Sequence, residues 1–66
     1  MLTEWRYSMK LNLGNQIRLN RRRMNLTQEQ LAEKFGTSPQ AISRWEIGAT
    51  YPDIEMLPMI ASFLEM

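Results

Sequence analysis

No cysteine and no histidine occur among the 66 residues of this chain. Without cysteine there is no disulfide to brace a small fold, and without either residue there is no zinc site of the Cys/His kind. The same two zeros exclude Ser-His and Cys-His nucleophile pairs and any histidine general base. Long apolar runs are missing as well. The longest, Met56–Ala61, contains Pro58 and falls far short of the ~18 residues that a spanning helix needs. The opening MLTEWRYS has no apolar stretch of the signal-peptide kind. There is no repeat and no low-complexity segment. What remains is one small domain held by its apolar core. A hydrophobic fraction of 44% can supply that core if the helices pack well. The absence of cysteine fits a reducing cytoplasm, which is the expected location.

Charge is scarce in sum but not in distribution. The net value is +1. Residues 1–26 hold Arg6, Lys10, Arg18, Arg21, Arg22 and Arg23 against Glu4, a balance of +5. Residues 27–66 hold Lys34 and Arg44 against Glu29, Glu33, Glu46, Asp53, Glu55 and Glu65, a balance of −4. The basic N-terminal half is the candidate electrostatic footprint for a polyanion.

The pattern of residues predicts helices throughout. Residues 1–11 alternate Trp5, Tyr7, Met9 and Leu11 with polar residues and are expected to form an N-terminal arm, apart from the domain at 12–66. Asn12 is a candidate N-cap for a first helix over roughly 12–24, with Leu13, Ile17 and Met24 inward and Asn25 at its end. Thr27 and Gln30 have capping-box spacing and open a second helix over 28–35, which Gly36 stops. Ser38 caps a third helix over 39–47, Pro39 takes its first position and Gly48 ends it. Ala41, Ile42 and Trp45 share one face of that helix. Gln40, Ser43 and Arg44 share the opposite face, with Pro39 and Ile47 at its edges. Asp53 is a candidate cap for a fourth helix with Ile54, Leu57, Ile60, Ala61 and Leu64 inward. Pro58 deprives that helix of a bond to the Ile54 carbonyl, so its first turn is expected to kink or tighten.

Two short helices joined across Gly36-Thr37-Ser38 make a helix-turn-helix. The stretch TQEQLAEKFGTSPQAISRWEIG resembles the phage-repressor/Cro-type (XRE-like) family of bacterial helix-turn-helix regulators. The likeness is carried by Thr27, Gln28, Leu31, Ala32, Gly36, Ser38, Ile42, Ser43, Trp45, Glu46, Gly48 and Pro52, and it covers roughly residues 11–65. It implies an all-α, compact four-helix (truncated five-helix) lambda-repressor-like DNA-binding domain. It also implies a transcriptional regulator that acts by occupying an operator, with repression the more frequent outcome in the family.

The residues suit that role chemically. A major groove about 12 Å wide admits one helix, here the third. Gln40 can pair with adenine and Arg44 with guanine, one turn apart, while Ser43 can meet a base or a phosphate. Pro39 offers only apolar surface, suited to a thymine methyl. Ser38 is a helix cap and also a candidate phosphate contact. Gln28, at the start of the second helix, matches the family glutamine that holds a phosphate, and the free N–H groups of that helix end support the same contact. Arg18 and Arg22, with Lys10, add non-specific attraction. Arg21 and Glu46 match a family pair and are expected to form a structural ion pair. Trp45 is expected in the core.

The expected partner is double-stranded DNA carrying a palindromic operator, bound by a homodimer. No metal, cofactor, small molecule or membrane is implied, and no carboxylate pair or Gly-rich phosphate loop suggests an enzyme. Two other functions fit the sequence less well. One is an antitoxin-type autoregulator, although no toxin-neutralising extension is recognisable. The other is a protein-interaction module using Trp5, Tyr7 and Ile47. The fourth helix is expected to run to Met66 without a stop, as in a fragment of a longer regulator or a minimal protein that pairs through that helix and the arm.

Overall fold

A computed structural model describes the backbone of residues 2–65 and the side chains of residues 13–65. Four helices follow one another: α1 (Leu2–Arg23), α2 (Gln28–Phe35), α3 (Pro39–Ile47) and α4 (Leu57–Leu64), with a 3-10 turn at Ile54–Met56 before the last. No strand occurs among the described residues. The fold is all-α, as the sequence implies. Expectations about the side chains of Trp5, Tyr7 and Lys10 lie outside the described residues.

The middle of the chain folds where its capping residues direct. The Thr27 hydroxyl accepts from the Gln30 N–H at 3.0 Å, and the Gln30 side chain accepts from the Thr27 N–H at 2.8 Å. Two N–H groups that a helix start leaves unpaired are thereby satisfied. Gly36 ends α2 at φ +68° and Gly48 ends α3 at φ +80°. In each case the residue after the glycine donates back across the last turn, Thr37 to the Ala32 carbonyl and Ala49 to the Arg44 carbonyl, both at 2.9 Å. The Ser38 hydroxyl accepts from the Ala41 N–H at 3.1 Å, with Pro39 behind it at the first helical position.

Both outer helices depart from the sequence reading. α1 begins at Leu2 and not at Asn12, so residues 2–11 continue the first helix instead of forming an arm. They contain neither glycine nor proline, and several are good helix formers. Extending an existing helix avoids a second costly nucleation, whereas a lone strand there has no partner. α1 ends at Arg23, so Met24 lies past its last turn and is exposed rather than inward. Asn25 takes the left-handed conformation at φ 60°, and Leu26 donates to the Arg21 carbonyl at 3.0 Å.

At the other end, Asp53 makes no side-chain cap. The Ile54 carbonyl, which Pro58 cannot serve, accepts from the Leu57 N–H instead, and the entry turn tightens to 3-10 geometry. That turn leaves Ile54 80% exposed, contrary to the inward position expected. α4 stops at Leu64, with Glu65 in the left-handed region at φ 57° donating to the Ala61 and Ser62 carbonyls, so the helix has a stop that the sequence reading did not give it.

The core gathers Ile17 from α1, Leu31, Ala32 and Phe35 from α2, Ile42 and Trp45 from α3, and Ile60 and Leu64 from α4. Each large apolar side chain so buried contributes about 1.5–3 kcal/mol. Phe63 joins from the rim. Its ring meets Phe35 edge-on at 5.6 Å, and the Lys34 ammonium stands 4.9 Å from its centre. The packing closes the corner between α2 and α3 on the inner side and leaves the outer side of α3 free.

Candidate nucleic-acid interface

The outer side of α3 carries the polar face read from the sequence. Gln40 and Arg44 are exposed and Ser43 is half-buried. Among the described residues no hydrogen bond holds these three side chains. Ser38 is exposed at the start of the helix with its oxygen engaged as the cap, which leaves its O–H free to donate. Pro39 is half-buried beside it. Ile47, one turn beyond Arg44, is 73% exposed and continues the same stripe.

Behind α3 lies the polar centre of the domain. Arg21 and Glu46 are both buried. The Arg21 Nε donates to Glu46 Oε2 at 2.6 Å, and a second guanidinium nitrogen donates to Oε1 at 3.2 Å. The third donates to the Leu26 carbonyl at 2.8 Å. The Gln28 amide donates to Glu46 Oε1 at 3.1 Å. The Arg21–Glu46 pair therefore ties together the end of α1, the α1–α2 turn, the start of α2 and the last turn of α3. No buried side-chain polar atom is left unpaired among the described residues. An apolar environment makes such a network expensive to break, because the surviving charge would be buried alone.

Gln28 is thus half-buried and engaged with Glu46. Its amide nitrogen has a second N–H, which none of the described hydrogen bonds uses. On α1, the Arg18 guanidinium bonds to Asn15 Oδ1 at 2.8 Å and is half-buried, whereas Arg22 is exposed. The interface candidates accordingly fall into two groups: Ser38 to Arg44 on α3, and the basic flank of α1. Gln28 links the first group to the buried pair.

Gly14 escaped the sequence reading. It is buried on α1 against the last turn of α3. A Cβ there would stand 2.5 Å from the Trp45 carbonyl oxygen and 2.7 Å from that of Glu46. A signal for it existed. Glycine inside a helix costs about 1 kcal/mol relative to alanine, so it calls for a packing reason. Gly14 also shares a face with Ile17 and Arg21 at spacings of three and seven. Among the described residues no group of acidic side chains is placed to hold a metal ion, and no helix is long and apolar enough to cross a membrane.

Comparison with known proteins agrees with this geometry. A helix-turn-helix family model matches residues 17–66, more than half of the chain. Over 42 residues, 64% of its length, the chain is 52% identical to a protein of Enterococcus faecalis named HTH-type transcriptional activator BcrR. The matched part is 21% of that relative's length. No solved structure matches the chain. A two-helix unit with the right caps, a free polar face on its second helix and a family match across both helices lead to one assignment: the chain belongs to the XRE-like helix-turn-helix family of DNA-binding transcriptional regulators.

Proposed function

We propose that the chain recognises a specific operator in double-stranded DNA by laying α3 in the major groove. Gln40 and Arg44 read bases, Ser43 contacts a base or a phosphate, and Pro39 meets a thymine methyl. Gln28 and Ser38 grip phosphates on one side of the groove, and Arg18 and Arg22 add non-specific attraction from α1. The operator is palindromic and takes two copies of the chain. Such a protein acts at the nucleoid, in the cytoplasm.

The observation that carries this reading is the exposed Gln40–Ser43–Arg44 face. It stands free on the second helix of the unit, while the opposite face of that helix is built into the core. The sign of regulation follows from where the operator lies relative to a promoter and not from the fold. The sequence resemblance favours repression, while the relative from Enterococcus faecalis is named an activator. A reporter driven by the selected operator, with and without the chain, separates the two.

The test begins with an electrophoretic shift on random duplex across a salt series, followed by selection from a randomised library. Binding at low salt that sharpens to one enriched sequence is the expected result. Absence of binding at low salt overturns the proposal. An enriched sequence that Gln40→Ala and Arg44→Ala bind as tightly as the parent would remove α3 as the reader.

A further inference from the structure

We propose that Gly14, packed on the backbone of the last turn of α3, is a positioning residue that sets the tilt of the reading helix and so governs specificity at Arg44 more than at Gln40. The inference rests on the assignment of α3 as the reader. It starts from how Glu46 is held. Its main chain lies against Gly14, where a Cβ would come within 2.7 Å of the carbonyl oxygen and 3.0 Å of the carbonyl carbon. Its carboxylate is held by Arg21, seven residues further along α1 on the same face. The side chain of Arg21 leans back toward the start of α1, as helical side chains do, and so toward Gly14. One residue of α3 is therefore fixed at both ends by one stripe of α1. The glycine acts as a stop for the backbone and the arginine as a tie for the side chain. Neither contact can drift while the other holds.

The other end of α3 is held differently. It is joined to α2 by a turn of a few residues and capped by Ser38. A methyl group at residue 14 would meet main-chain oxygens, which cannot swing aside as a flexible side chain can. Ordinary contact begins at 3.4 Å and the closest approach, to the Trp45 carbonyl oxygen, would be 2.5 Å, so restoring ordinary contact parts the backbones by about 0.9 Å. With its first turn held, α3 responds by tilting about Ser38. The lever from Ser38 to Glu46 is about 12 Å at 1.5 Å per residue, so the tilt is about 4°. The displacement then grows along the helix, to about 0.2 Å at Gln40 and about 0.7 Å at Arg44. Recognition groups need placement within about 0.5 Å. Gln40 stays inside that tolerance and Arg44 leaves it.

This asymmetry separates positioning from mere loss of stability, because partial unfolding weakens every contact alike. The experiment uses the full chain and the duplex selected by the wild-type protein. Base pairs read by Gln40 and by Arg44 are first assigned as those at which Gln40→Ala and Arg44→Ala lose their preference. Gly14→Ala is then measured by fluorescence anisotropy on the selected duplex, its single-base variants and a scrambled duplex. The temperature is chosen so that circular dichroism shows both proteins folded. The expected result is a tenfold or greater fall in discrimination at the Arg44 base pair. Discrimination at the Gln40 base pair and affinity for the scrambled duplex should stay within twofold.

Equal loss at both base pairs, or no loss at either, overturns the proposal. If Gly14→Ala is unfolded in buffer, the measurement is made in trimethylamine N-oxide, which favours the compact state. Arg21→Lys then provides a second arm: it keeps the charge, removes the two-pronged tie and adds no bulk to the α1–α3 contact. The same graded loss is expected from it, and equal loss at both base pairs again counts against the idea. A wild-type chain with no preference between selected and scrambled duplex is a different failure. It overturns the assignment of α3 as the reader, and this inference with it.

Discussion

Arg21 and Glu46 show how far single residues set the terms for the rest. Removing one partner leaves a charge in a site that is 10% exposed on the arginine side and 3% on the glutamate side. Such a loss costs about 3–5 kcal/mol, and a core of this size supplies little more than that in total. Arg21→Ala should therefore be largely unfolded at 25 °C by circular dichroism. The double change Arg21→Met with Glu46→Leu should recover part of the lost stability in urea titrations, because it removes the uncompensated charge. Recovery stays partial, since the Leu26 carbonyl and the Gln28 amide each lose a partner. At the outer face of α3 the proposed function puts the energies into DNA binding instead. Gln40→Ala and Arg44→Ala should each cost about 1–3 kcal/mol on the selected operator and leave the urea midpoint unmoved. The outward placement of Gln40 and Arg44 was legible from spacing, because a helical register separates an inward face from an outward one, whereas the Arg21–Glu46 pair was implied by the family resemblance. The engagement of Gln28 with Glu46 was not legible, since it depends on how α2 and α3 cross. Gly14 was overlooked although a glycine inside a helix is itself a signal; what spacing does not name is its partner, the backbone of another helix.

Helix ends were more legible than helix faces where a specific cap marks them. The bounds of α2 and α3 follow from Thr27, Gly36, Ser38, Pro39 and Gly48, each acting through local geometry. α1 and α4 lack comparable marks. Asn12 looked like a cap but nothing before it stops a helix, and Pro58 moved the start of α4 by changing which N–H meets the Ile54 carbonyl. Gly48 and Gly14 make a sharp pair for testing what a glycine is for. Open space surrounds a Cβ built at Gly48, whose φ is +80°. Gly48→Ala should cost about 1–2 kcal/mol through backbone strain alone. That corresponds to a fall in melting temperature of roughly 4–8 °C per kcal/mol for a domain of this size. Its effect on operator discrimination should be small, because the strain falls after the last turn and pushes on nothing. Gly14→Ala carries no such strain and meets main-chain atoms instead, so its larger effect should fall on discrimination. Thermal melts beside anisotropy titrations of the two variants compare these effects directly.

The charge of the domain is divided, +5 before Thr27 and −4 from there on, with Arg44 on α3 among the few cations of the second part. A near-neutral sum therefore hides a basic N-terminal segment followed by an acidic one. Affinity should fall linearly with salt on logarithmic axes, by about 0.9 for each phosphate neutralised. Arg22→Ala should reduce that slope by about 1 and weaken selected and scrambled duplexes alike, since a phosphate contact positions without reading sequence. Arg44→Ala should alter discrimination as well, which tells a base reader from a phosphate grip. The small charge also bears on stoichiometry. On the proposed reading one copy neutralises few phosphates and covers one half-site, so tight binding at physiological salt is expected to need a second copy on the same duplex. Two copies related by a two-fold axis need half-sites about 34 Å apart, one helical turn. Sedimentation of the chain with a palindromic duplex should give two chains per duplex, with a salt slope near twice that of a single half-site. Inserting about five base pairs between the half-sites turns one of them to the far side of the helix. Paired binding should then collapse to the affinity and slope of one half-site. Two chains binding the lengthened duplex as tightly as the original would mean that the copies bind independently, and the two-fold arrangement would have to be abandoned.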